Sequence, residues 1–326
     1  MRAFSFLRAG SPEEAVSEYR PGTAYLGGGT NLVDLMRLGV ATPSRVIDVT
    51  LATRDEISEG DGGALRIGAG VRNSDLANHP AVRERYPLLA RAVLAGASGQ
   101  IRNMATVAGN LLQRTRCPYF QDTTMPCNKR EPGSGCQATT PGADTEHLAI
   151  LGHSPFCVAT HPSDMAVALT ALGASVRVTG PEGGRLIEMP GLHRLPDGTP
   201  DRDTVLRPGE LITEVELPPP PAGRSTYRKV RERASFAFAL VSLAAVLETG
   251  PDGLVRDCRL ALGGVAHAPW RAHASERVAL GLPATPETFA RAAEEELRYA
   301  RPLPGNEYKV TLASNLISSV LAELAA

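Results

Sequence analysis

Between Ala105 and Asp164 the regular patterning of this chain breaks. The segment opens with ATVAGNLLQRTRC and closes with CVATHPSDMAVAL, and the Gly- and Pro-rich stretch between these ends has neither helical nor strand periodicity. Four of the five cysteines lie in it: Cys117, Cys127, Cys136 and Cys157, spaced C-x9-C-x8-C-x20-C. Loops this long without secondary structure are uncommon in compact domains and mark function or disorder. Thiols at intervals, among prolines and glycines that suit tight turns, favour a chain wrapped around a central object. The stretch has too few apolar residues for a core of its own, so something else must hold it.

Three objects suit four thiols. Two disulfides would staple a small secreted protein, whereas 326 residues can bury a core without staples. Four thiolates also bind zinc, although structural zinc sites generally use close C-x2–4-C pairs that this spacing lacks. Four thiolates hold iron–sulfur clusters too, and the familiar ferredoxin spacings are likewise missing. Spacing points to a metal centre and leaves its identity open. His153 and His161 flank Cys157; with four cysteines sufficient, they are expected to cap or hydrogen-bond within the loop.

Length and composition narrow the class. A chain of this length makes two or three domains, and 43% hydrophobic with 21% charged residues is an ordinary globular composition. A net charge of −1 gives no electrostatic reason to expect nucleic acid or an anionic membrane as partner. The longest apolar run, FAFALVSLAAVL, is too short to span a bilayer. MRAFSFLRAG shows neither a secretory hydrophobic stretch nor a twin arginine. Taken by itself, the chain is expected in the cytoplasm, without membrane insertion.

Along the chain, a strand over residues 3–7 precedes SPEEAVSEY, a helix with Ser11 as N-cap, Pro12 at its first position and Glu14 three residues after the cap. TAYLGGGTNLVDLMRLG follows: a strand, three glycines, then an amphipathic helix from near Asn31. Such a junction lets backbone N–H groups and the positive end of a helix approach a phosphate, although tight turns also use glycine for conformation alone. It is neither a Walker loop nor a G-x-G-x-x-G fingerprint. RNMATVAGN is a second turn-forming stretch, DMAVALTALGA a helix capped by Ser163 or Asp164, and SVRVTG and ELITEVELP strands. Pro218–Pro221 form a stiff spacer and mark a domain boundary. Beyond it, STYRKVRER, FALVSLAAVLE and LVRDCRLALGG are three strands, and PETFARAAEEELRYA and TLASNLISSVLAEL two helices. In the basic cluster Arg228, Lys229, Arg231 and Arg233, a solvated strand face competes with a phosphate contact.

Taken together, LGGGTNLVDLM, RNMATVAGNL, PSDMAVALTALGA, GELITEVELP, YRKVRERASFAFALV and RLALGGVAHAPWRA resemble the FAD-binding subunit of the molybdenum hydroxylase family, which includes xanthine and carbon monoxide dehydrogenases. The likeness spans nearly the whole chain. It implies an α+β fold: a two-part FAD-binding domain of the vanillyl-alcohol-oxidase (PCMH) type over 1–220, with lobes of about 1–55 and 56–220. A small α+β domain with a three-stranded antiparallel sheet and helices follows at 222–326. In that family the first glycine turn cradles the FAD pyrophosphate, a role the resemblance gives to Leu26, Gly27, Gly28, Gly29, Thr30, Asn31, Leu32 and Val33. The second family turn is T-x-G-G-N; here Thr106, Ala108, Gly109 and Asn110 supply it, with alanine, the smallest side chain, at one glycine. The family's S-D aspartate falls on Asp164, the hydrophobic residue of E-L-I on Leu211 or Ile212, and the lysine of Y-x-K-V on Lys229.

Most members run almost directly from G-N-L to S-D, whereas this chain inserts the cysteine-rich stretch 112–160. The insertion resembles the branch of bacterial periplasmic aldehyde oxidoreductases, whose FAD subunit carries an additional [4Fe–4S] cluster. The resemblance thus makes Cys117, Cys127, Cys136 and Cys157 its ligands and favours iron–sulfur over zinc. The implied function is electron transfer: electrons from the [2Fe–2S] clusters of a small partner subunit pass through FAD to an external acceptor. A large molybdenum-cofactor subunit oxidises the aldehyde or heterocycle, and no catalytic acid, base or nucleophile is expected here. Cys258, in a strand, is expected to be a buried structural thiol. A partner's twin-arginine signal would carry the folded complex to the periplasm. Two other classes compete: a stand-alone FAD oxidase, and a flavoprotein whose cysteine loop is a structural zinc site.

Overall fold

A computed structural model describes the whole chain, Met1–Ala326. The N-terminal alternation of strand and helix makes a parallel sheet, because each helix returns the chain to begin the next strand in the same direction. β1 (Ser5–Arg8) and β2 (Thr23–Leu26) flank β3 (Arg45–Asp48). Ser11 caps the helix Pro12–Ser17, its hydroxyl accepting from the Glu14 N–H at 3.1 Å, while the Glu14 carboxylate accepts from the Gly10 N–H at 2.6 Å. The return bond of this capping box lands one residue before the cap itself. Asn31 precedes the helix Leu32–Arg37, where the apolar spacing predicts one.

The second lobe is a five-stranded antiparallel sheet in the order β4 (Ile57–Glu59), β5 (Leu65–Gly68), β8 (Leu211–Leu217), β6 (Ser175–Gly180), β7 (Gly183–Glu188). β4 and β7 are the edges and go unread in the sequence because neither buries enough to show apolar alternation. The lobe's core packs Ile67 and Val215 of the sheet against Leu89 and Val93 of the helix Pro87–Ala95. The helix Asp164–Leu172, capped by Ser163, is buried on every face, which is why it is apolar all round.

The C-terminal sheet is antiparallel, as expected, with one strand more than three: β9 (Arg224–Val230), β10 (Val241–Thr249), β11 (Val255–Gly263) and the two-residue β12 (Trp270–Arg271). β10 is buried on both faces, and its residues alternate between two cores. Val241, Leu243, Ala245 and Leu247 meet the helices Pro286–Leu297 and Tyr308–Ala325, whereas Ala244 and Val246 join the core of the second lobe. The two parts of the chain therefore share a core across the proline run, and the Tyr86 hydroxyl donates to the Pro218 carbonyl at 2.6 Å. No helix is long and apolar enough to cross a membrane.

The cysteine stretch differs from a structureless loop. It contains the helix Pro118–Gln121 and a 3-10 turn, Gln137–Thr139, each too short to leave a periodic signal. It also has a small core, contrary to the expectation from its composition. Phe120, Ala138, Leu148, Val158 and Ala159 close around Cys117, Cys127 and Cys157, with Leu35 supplied by the first lobe. Arg130 secures the turn by donating to the carbonyls of Tyr119 and Phe120 at 3.0 and 2.8 Å.

Candidate functional site

A cavity of about 880 Å³ lies where the two lobes and the C-terminal sheet meet, within the range of small-molecule and cofactor sites. Thr30 and Asn31 reach it from the first glycine turn, Gly109 and Asn110 from the second, Asp164 from the start of its helix and Lys229 from β9.

The glycines hold the two turns together. A Cβ on Gly28 would sit 1.8 Å from the Met104 carbonyl oxygen, so no side chain fits between the turns. One on Gly27 would meet the Thr106 hydroxyl at 2.8 Å, and Gly29 has φ +76°, a left-handed conformation. The second stretch is helical rather than a simple turn: Gly99–Met104 ends at Ala105, and Thr106 caps Val107–Leu111 by accepting from the Gly109 N–H at 3.2 Å. Gly109 and Asn110 face the cavity, while Ala108 packs against the core, so the alanine leaves the cavity wall unaltered.

Next to the second turn, where the Ser163 hydroxyl donates to Asn110 Oδ1 at 2.6 Å, Asp164 forms a buried ionic pair. Its carboxylate accepts from Lys229 Nζ at 2.8 Å and from the Tyr227 hydroxyl at 2.5 Å, and Lys229 also donates to the Ala95 carbonyl at 3.2 Å. Burial and the adjacent Asp164 push the Tyr227 hydroxyl well up, so it remains a donor. Tyr227 was legible in principle: two residues before Lys229 on one strand, it shares the same face. Of the other cations of the basic cluster, Arg228 pairs with Glu323 at 2.5 Å, Arg231 shares the Ala95 carbonyl with Lys229 at 3.0 Å, and Arg233 lines the cavity.

The cavity wall carries buried polar atoms without partners in the chain: Asn31 Nδ2, Asn73 Oδ1, His161 Nε2 and Ser242 Oγ. Buried donors and acceptors are almost always paired, so the wall suits a ligand that is polar along its length, as a dinucleotide is. Leu26, Gly27, Gly28, Gly29, Leu32, Val33 and Thr106 form or support the turns without lining the cavity. Leu211 and Ile212 stand apart from it: Leu211 packs with Ala9, Ala15 and Ile47 between the lobes, and Ile212 lies in the main core. Sequence reading missed Asn73, Arg116 and Ser242, which come from segments far apart in the chain. Burial lowers the Arg116 guanidinium, an effect Asp34 opposes, and the group lies 5.3 Å from the centre of the Phe238 ring.

The four cysteines of the inserted stretch line one small cavity of their own, and none is in a disulfide. Cys127 and Cys136 form a short antiparallel bridge, while Cys117 begins the helix Pro118–Gln121. The one group of three or more His, Cys, Asp or Glu side chains whose ligand atoms lie within 4.8 Å of one another is Glu146, His147 and Glu232, so no three thiols are that close. A tetrahedral zinc ion with Zn–S of about 2.3 Å would bring every pair to about 3.8 Å. Burial pushes the Cys117 thiol up to about 12 and that of Cys157 up to about 11, the latter against the pull of Lys129. Metal ligation would therefore release protons from these thiols. His153 is not among the lining residues; its Nε2 meets the Arg301 carbonyl at 2.7 Å. His161 lines the larger cavity instead. Cys258 is buried within β11, where its thiol is pushed up to about 12 by burial.

Residues 2–220 match the family model described as the FAD binding domain in molybdopterin dehydrogenase, and 225–324 the CO dehydrogenase flavoprotein C-terminal domain. The chain belongs to the FAD-binding medium subunits of the molybdenum hydroxylase family. FAD is its cofactor, and oxidation of the substrate falls to the molybdenum subunit. The aldehyde oxidoreductase FAD-binding subunit PaoB of Escherichia coli K12 is 51% identical, over 99% of this chain and 98% of its own. The glyceraldehyde dehydrogenase medium chain of Sulfolobus acidocaldarius is 28% identical over 85% of this chain and 81% of its own. Among solved structures, a carbon monoxide dehydrogenase chain from Hydrogenophaga pseudoflava superposes with a TM-score of 0.76 at 24% identity, covering 100% of this chain and 99% of that one. That likeness concerns the fold.

Proposed function

We propose that this chain is the electron-exit subunit of a molybdenum-dependent aldehyde oxidoreductase, with FAD in the large cavity and a [4Fe–4S] cluster on Cys117, Cys127, Cys136 and Cys157. Its partners would be a large molybdenum-cofactor subunit and a small [2Fe–2S] subunit, and its electrons would go to an external acceptor. The substrate class rests on the 51% identity to an aldehyde oxidoreductase subunit along nearly the entire chain. One observation carries the cluster reading: four free thiols face one cavity yet are spread more widely than a single ion requires. A cube of four irons and four sulfides holds its thiolates farther apart than one ion does.

When bound, FAD supplies reversible two-electron and one-electron chemistry; the protein supplies binding and orientation. The first glycine turn brings Thr30 and Asn31 to the cavity and the second brings Gly109 and Asn110, with the Asn31 and Asn110 side chains supplying amides. Asp164 holds the Lys229 Nζ at 2.8 Å on the cavity wall, and Ser242, opposite Lys229 in the β9–β10 register, adds a hydroxyl. With Cys258 buried in a strand, no thiols remain for [2Fe–2S] clusters, which supports placing those clusters on a partner.

The test is the FAD, iron, zinc and acid-labile sulfide content of the complex purified without oxygen. The expected result, after subtracting the small subunit's clusters, is about one FAD, four iron and four sulfide per copy of this chain. Zinc in place of iron would overturn the cluster reading and keep the flavoprotein. Aldehyde turnover by this chain without partners would overturn the electron-exit role.

A further inference from the structure

The cysteine centre has a charged neighbour that the glycine and cysteine motifs do not include. Lys129, two residues after Cys127, is buried to 2% exposure and is one of the residues lining the cysteine cavity. Its Nζ donates to the Pro200 carbonyl at 2.8 Å and to the Asp203 carboxylate, and to no sulfur. Asp203 comes from the irregular segment after the helix Met189–Leu192, more than 70 residues away in the chain. The other oxygen of Asp203 accepts from Arg114 Nε at 2.7 Å, and the Arg114 backbone N–H donates to Asn31 Oδ1 at 3.0 Å. One carboxylate thus ties the cysteine centre to the wall of the flavin cavity.

We propose that Lys129 and Asp203 are the charge-setting pair of the cysteine centre: the buried ammonium favours the reduced, more negative form of the [4Fe–4S] group, and Asp203 offsets it while fixing its position. The inference rests on the cluster reading. Burial would raise the Asp203 carboxyl, but Arg114 and Lys129 outweigh it and hold it well below its usual range. The third neighbour is neutral: His267 Nε2 lies 3.7 Å from Asp203, and burial pushes that imidazole down to about 4. Of the three charged groups Arg114, Lys129 and Asp203, Lys129 alone lines the cysteine cavity. In a poorly solvated site a charge acts over longer distances than in water. A side chain needed only for packing would not require an ammonium here, because a buried cation is costly unless paired.

The experiment is a potentiometric titration of the assembled complex with dithionite and mediators, the four-iron signal being followed by electron paramagnetic resonance. Lys129→Met, Asp203→Asn and the double variant are compared with the unaltered protein, with iron, sulfide and FAD measured in each. Lys129→Met is expected to lower the midpoint and Asp203→Asn to raise it, each by at least tenfold in the reduced-to-oxidised ratio at fixed potential, about 59 mV for a one-electron couple. The double variant should return towards the original value. A merely structural pair would lose iron in all three variants with no opposite shifts. Full iron with unmoved midpoints, or single variants shifting in the same direction, would overturn this inference alone. An unaltered complex without the four irons would overturn the cluster reading and this inference with it.

Discussion

The two centres of this chain are built by opposite means. The flavin cavity is large and open, its wall made by backbone turns brought together from three parts of the fold, with a single buried ionic pair, Asp164 and Lys229, at one side. The cysteine centre is small and closed, its ligands lie within one stretch of 41 residues from Cys117 to Cys157, and the thiols themselves form part of the core that surrounds them. In the first, the shape exists because the chain folds. In the second, much of the packing depends on what the thiols bind. The flavin cavity should therefore be most sensitive to backbone fit, and the cysteine centre to ligand chemistry.

The largest effect is expected from Gly28→Ala. A methyl 1.8 Å from the Met104 carbonyl must force the two turns apart, and overpacking of this kind costs about 3 kcal/mol or more. Purified complex should lack FAD, read by its absorbance near 450 nm; full flavin content would show that the turns tolerate separation. Next is Cys136→Ser, which should abolish four-iron assembly and also weaken FAD retention, because the stretch adjoins the second turn. Unchanged iron would refute the ligand assignment, and iron loss with full flavin would show the two centres to be independent.

A smaller change follows from Lys229→Met, which strands the buried Asp164 carboxylate with only Tyr227 as partner. Removing one member of such a pair costs about 3 kcal/mol, measurable as a lower midpoint in urea unfolding. Lys229→Met combined with Asp164→Asn should recover most of that loss while still weakening FAD binding, if the pair serves the cofactor.

A pH-dependent effect concerns Lys309, which donates to the Leu148 and Gly264 carbonyls at 3.0 and 2.9 Å. Burial pushes its ammonium down to about 7, against an ordinary value of about 10.4. Between those values the unfolded chain binds a proton that the folded chain does not, so stability should rise with pH from about 7 towards 10; below about 7 the burial penalty is fully present. Lys309→Met should flatten that slope in thermal unfolding followed across the range. An unchanged slope would assign it to other groups.

Much of the architecture was legible because it repeats locally. SVRVTG marks β6 residue for residue, Ser163 and Ser11 cap the helices they precede, and Thr106 and Gly109 stand at a glycine-lined junction. Edge strands β4 and β7 were not, since a strand with little burial has no reason to alternate. The helical turns within the cysteine stretch were missed because a single turn has no period, and its small core because cysteine was counted as a ligand and not also as an apolar side chain.

By itself the sequence determined the classes of residue available to each centre: four thiols with no disulfide need, two glycine-bearing turns, and an aspartate at a helix start. Only the tertiary structure decided which of them meet. It put Asp164 against Tyr227 and Lys229, set Leu211 and Ile212 away from the cavity, and joined Lys129 to Asp203. The physical reason is range: turns, caps and strand periods are settled by neighbours along the chain, whereas a buried charge can persist only where the completed fold provides its counter-charge.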